Sequence, residues 1–166
     1  MRKLPILSVA FAVVLVAPAV IADSTLHAKL TGYEETPAAI STAASGSFRA
    51  KINQDNTIDY ELSYENLEGD VTQSHIHFGR PGTSGGIAVW LCQGLTAGPV
   101  GTPNCEGART GGATGTLTPA SVIGPAGQGI AAGEWDEFVA AIRDGSTYVN
   151  VHSSLRTGGE IRGVLR

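Results

Sequence analysis

An all-β, Greek-key-like sandwich or barrel of about eight strands, with one short helix, is the fold this 166-residue sequence predicts. Short segments alternate apolar and polar residues, as half-buried strands do. Breaks rich in Gly, Pro, Ser and Thr separate them, and the chain holds 22 glycines. Only one segment departs from that pattern, with apolar residues at helical spacing.

The elements follow in order. Residues 25–31 set Leu26, Ala28 and Leu30 against His27 and Lys29. Residues 45–52 and 57–64 flank Asn53-Gln54-Asp55-Asn56, whose side chains favour a tight turn, so the two runs read as a hairpin. In the second run Ile58, Tyr60, Leu62 and Tyr64 face the core, and Asp59, Glu61 and Ser63 face water. Residues 73–78 place Ile76 and Phe78 on one face and His75 and His77 on the other. Residues 86–91 align Ile87, Val89 and Leu91, and residues 114–118 form a shorter strand. A closing hairpin joins 147–152 to 160–165 through 153–159. Residues 134–143 carry Trp135, Phe138, Val139 and Ile142 on one helical face, with acidic residues at the start, Arg143 at the end and Asp144-Gly145 as the stop. Residues 93–113 read as the most mobile loop.

The N-terminus reads as a signal peptide. Arg2 and Lys3 precede a short apolar run, and Val20-Ile21-Ala22 offers small residues for cleavage after Ala22. An uncleaved anchor is the competing reading, disfavoured by the short apolar run and Pro18. The expected products are residues 1–22 as leader and 23–166 as one domain, periplasmic or secreted. Without Arg2 and Lys3, nine basic residues face 15 acidic ones. That balance attracts neither nucleic acid nor an anionic membrane. Cys92 and Cys105 form an even pair, which in an exported chain favours a disulfide, a pair of thiolate metal ligands being the alternative.

The chemistry concentrates in two strands. His75 and His77 share a face of one. Tyr148, Asn150 and His152 share the face of another that lies opposite Val149 and Val151. If the two strands are neighbours, three imidazoles converge on the outer surface of the sheet. Three neutral nitrogens suit copper or zinc, with water or a carboxylate as fourth ligand. Glu160 is the carboxylate within reach of that face, as ligand or as partner to an imidazole N–H. Asn150, Tyr148 and Arg162 complete the surroundings, and Arg162 can pair with Glu160 instead. A structural polar cluster without metal fits the same pattern. His27 reads as a solvated strand residue, Trp90 and Trp135 as core or half-buried, and Glu34-Glu35 as an exposed loop. No Ser–His–acid triad follows from Ser153 and Ser154, because neighbours along a strand point to opposite faces.

Several stretches resemble the CHRD domain, the module named after chordin. They are Leu26-His27-Ala28-Lys29-Leu30-Thr31-Gly32 with Glu35-Thr36-Pro37, the His75-Ile76-His77-Phe78-Gly79 stretch, and the Leu91-Cys92 and Gly101-Thr102-Pro103-Asn104-Cys105 loop. The most specific is Tyr148-Val149-Asn150-Val151-His152 followed by Gly159-Glu160-Ile161-Arg162-Gly163. The resemblance implies an all-β extracellular or periplasmic module and carries over no established catalytic activity. A fainter likeness joins His75-x-His77 to the copper strand of copper–zinc superoxide dismutase, but too few histidines remain for that enzyme's second metal. The function expected is therefore non-enzymatic binding of copper or zinc by a surface cluster of His75, His77, His152 and Glu160, for metal buffering or tolerance. A metal-free adhesion or interaction module with another exported protein as partner is the alternative, and a small metalloenzyme the third reading.

Overall fold

Period-two burial dominates the computed structural model, which describes residues 24–166. The expected leader and its expected cleavage point after Ala22 lie outside the described residues. Eight strands form: β1 (Ser24–Thr31), β2 (Ser45–Ile52), β3 (Ile58–Glu65), β4 (Val71–Phe78), β5 (Gly86–Gln93), β6 (Gly111–Leu117), β7 (Thr147–Ser153) and β8 (Ile161–Val164). In β3 every second side chain is buried, and these are the predicted Ile58, Tyr60, Leu62 and Tyr64. In β1 the same holds for Leu26, Ala28 and Leu30, with His27 and Lys29 exposed.

All strand pairs are antiparallel, in the order β5-β4-β7-β8-β1-β2-β3-β6. The sheet curls until its two edge strands, β5 and β6, approach each other, giving a nearly closed barrel. Tyr60 on β3 ties that seam, its hydroxyl donating to the Leu91 carbonyl on β5 at 2.5 Å. Leu30, Phe48, Ile76, Val89, Val149, Val151 and Ile161, fully buried, fill the interior. The helix α1 (Trp135–Arg143) forms where its spacing predicts and adds Phe138, Val139 and Ile142 to the same core. Among the described residues no helix is long and apolar enough to cross a membrane.

Two elements differ from expectation. β6 starts at Gly111, three residues early, because its glycines weaken the strand signal while serving the pairing. A Cβ on Gly112 would sit 2.1 Å from the Leu62 carbonyl oxygen, so only glycine admits β3 this close. Residues 93–113 are also tied down. The Cys92–Cys105 disulfide forms, and beside it Gln93 N–H donates to the Pro103 carbonyl (2.9 Å) and Cys105 N–H to the Gln93 carbonyl (2.7 Å).

The cross-link closes a 13-residue separation, a loop for which the chain-entropy account gives about 3 kcal/mol. Urea unfolding of a Cys92→Ala/Cys105→Ala variant should show a loss of that order against the oxidised wild type. A loss within measurement error would mean that the loop's backbone bonds alone hold it.

Candidate metal centre

The pairing of β4 with β7 sets the geometry. Gln73 lies opposite His152, His75 opposite Asn150 and His77 opposite Tyr148. On one face of an antiparallel pair, direct and diagonal neighbours touch. His152 is therefore the diagonal neighbour of His75, itself two residues from His77. Ring centroids are 5.3 Å apart for His75–His77, 5.2 Å for His75–His152 and 6.2 Å for His77–His152. One ring nitrogen from each lies within 4.8 Å of the other two. Among the described residues no Asp, Glu or Cys joins this group.

The expected surface cluster is in fact buried. His75, His77 and His152 are 0%, 8% and 7% exposed, and the whole of β7 is covered. The sheet's second face is roofed by segments that alternation within strands does not reveal. The turn after β1 brings Glu35 and Thr36, the β4–β5 loop brings Thr83 and Gly85, and the β7–β8 turn brings Thr157.

Each ring is held by its own neighbours. His77 Nδ1 bonds the Gly85 carbonyl and His152 Nδ1 the Thr157 carbonyl, both at 3.0 Å. Those carbonyls only accept, so each Nδ1 carries the proton and each Nε2 presents a bare lone pair. Both Nε2 atoms, and both nitrogens of His75, are buried without a hydrogen-bond partner among the described residues. The His75 ring meets Trp90 edge-to-face at 4.4 Å. Tyr148 stacks parallel on His77 at 4.8 Å, and the Arg162 guanidinium lies 3.4 Å from the centre of the Tyr148 ring. Arg162 is anchored in turn by the Thr36 hydroxyl and by the Thr83 carbonyl, the latter at 2.6 Å.

Burial keeps these rings neutral. It pushes His75 down to about 2, with His152 and His77 adding to the effect. It pushes His77 down to about 4, against the pull of the Gly85 carbonyl and with help from His152 and Arg162. His152 is lowered by the same burial, partly offset by the Thr157 carbonyl. Neutral imidazole is the form that ligates metal.

Glu160 is not part of the cluster. It precedes β8 rather than belonging to it, so the alternation that would pair it with Arg162 does not reach it. Its fully buried carboxylate accepts from the Thr42 hydroxyl (3.1 Å), the Glu68 N–H (2.7 Å) and the Ser153 hydroxyl. Asn150 sits beside His75 but donates to Glu35 Oε1 (2.6 Å) and the Ile161 carbonyl (3.2 Å). Glu35, expected in an exposed loop, is buried, and that burial raises its carboxyl to about 7 despite the Asn150 hydrogen bond and Arg162. At Gly159 (φ +130°) a Cβ would meet Asn150 and Glu35 atoms at 2.7 Å, so this position requires glycine. His27 is exposed, away from the cluster.

Comparison with known protein families matches residues 26–165 to the CHRD domain. The chain belongs to the CHRD-domain family. No curated protein and no solved structure matches it. The CHRD match takes in all three histidines and every residue that walls them. Glu35 and Thr36 of the roof also lie within the matched span.

A pH dependence follows. The unfolded chain protonates His75 and His77 below about 6.5, while in the fold they stay neutral down to about 2 and about 4, so stability falls as pH drops below 6.5. At pH 5 this costs roughly 2 kcal/mol for His75 and for His77. In His77→Asn the amide can still donate to Gly85, but no proton is taken up. Its stability loss between pH 7 and 5, measured by urea unfolding with chelator present, should be about 2 kcal/mol smaller than the wild type's. An equal loss would show that His77 titrates normally in the fold.

Proposed function

We propose that this CHRD-domain protein is exported after removal of residues 1–22 and binds a copper or zinc ion through His75, His77 and His152, without catalysing a reaction. The observation that carries this reading is four buried imidazole nitrogens with no hydrogen-bond partner, at least one from each ring. Leaving a buried polar atom unpaired costs about 1–3 kcal/mol, and native structures rarely tolerate it. A cluster that served only the fold would pair these atoms with backbone or with each other. A metal ion satisfies three at once, and main-chain carbonyls already hold two of the rings in the tautomer it needs. Export is supported by the charged and apolar N-terminus and by a disulfide, which suits an oxidising compartment. Metal buffering or tolerance in that compartment is the role such a site would serve.

Calorimetry of the metal-free protein with copper and zinc salts tests the reading. Binding in the micromolar range or tighter, at one ion per chain and lost in His77→Ala, is expected. No binding by a folded wild type would leave the metal-free interaction module as the better account.

A further inference from the structure

Imidazole serves copper and zinc alike, so ligand type does not choose the ion here. Charge does. The cluster contains three neutral donors and no anionic one. The partners that orient His77 and His152 are main-chain carbonyls, where a carboxylate would have added negative charge. The carboxylate of Glu160 is bound up by Thr42, Glu68 and Ser153, and that of Glu35 by Asn150. The fixed charge that does bear on the cluster is positive: Arg162, held over Tyr148 and repelling positive charge at His77. The remaining walls are the rings of Trp90 and Tyr148.

The cost of burying an ion rises with the square of its charge, so a divalent ion costs about four times what a monovalent one does in the same setting. Among the described residues no anionic donor joins the three nitrogens to offset the difference. The geometry admits a monovalent ion. Three nitrogens within 4.8 Å of one another close on a three-coordinate ion with bonds of about 2 Å after small ring movements.

From this charge inventory we propose that the centre is a site for monovalent copper, selecting Cu(I) over Cu(II) and Zn(II). The proposal rests on the metal-binding reading above and names the ion that reading leaves open. Divalent ions bind less tightly than Cu(I), because neither the donors nor the carbonyls behind them supply an anion. Arg162 is part of the selection, since it places positive charge beside the site without touching the ion.

The test compares three ions on the full mature chain. Cu(I), kept reduced by ascorbate without oxygen, is titrated in competition with bicinchoninate. Cu(II) and Zn(II) are titrated by calorimetry in the same buffer. Cu(I) should bind at least roughly a hundredfold more tightly than either divalent ion, a gap in keeping with the cost of a second buried charge. Arg162→Met should then strengthen Cu(II) and Zn(II) binding by a clearly larger factor than Cu(I) binding, since the repulsion scales with the ion's charge. If that variant does not fold, the wild-type ranking decides alone. Divalent binding as tight as Cu(I) binding would overturn the selection while leaving the metal site intact. Failure of all three ions to bind would remove the site itself.

Discussion

The antiparallel register between β4 and β7 is the constraint on which the rest depends. It sets His75 opposite Asn150 and leaves His152 as the diagonal neighbour. A slip of one residue would turn every one of these side chains to the opposite face. The apolar residues of the same strands resist that slip. Ile76, Val149 and Val151 are fully buried in the barrel, and a one-residue slip would replace them with imidazole and amide groups. Core packing and site geometry are thus one fact, because the valines that hold the barrel together also fix where the histidines point.

Burial gives the cluster its chemistry. The three rings lie under a roof made by the turn after β1, the β4–β5 loop and the β7–β8 turn. Removal from water is what holds them neutral at pH values where solvated histidine is charged. Arg162 joins the roof to the wall. Its guanidinium reaches Thr36 in one segment and the Thr83 carbonyl in another while covering Tyr148, whose ring stacks on His77. The same arrangement keeps carboxylates out of the histidine cluster, since Glu35 and Glu160 are spent on structural hydrogen bonds. Polar groups that look interchangeable in sequence therefore have separate duties: some hold the roof, and three are left bare.

Much of this was legible in the residues. Strict alternation marked β1 and β3 and their faces, and the 3.6-residue spacing around Trp135 marked α1. The histidine set was readable because His75-x-His77 and His152 share a parity with respect to buried Ile76, Val149 and Val151. Their burial was not readable, since alternation tells one face of a sheet from the other but not whether loops cover the second face. Glu160 was misplaced for a related reason: period-two logic fails one residue outside a strand, and β8 starts at Ile161. Glu35 was missed because two adjacent glutamates before Thr36-Pro37 look solvated unless Asn150 is known to lie beneath them. Gly111 and Gly112 hid the start of β6, since a residue chosen for close approach carries no strand propensity.

The most direct test of the convergence is a crystal of the copper-loaded protein with anomalous scattering measured at the copper edge. The account predicts one peak per chain, at about 2 Å from Nε2 of His77, Nε2 of His152 and one nitrogen of His75, with both Nδ1–carbonyl bonds intact. A peak at exposed His27 alone, or a copper bound to fewer than two of the three buried rings, would contradict it.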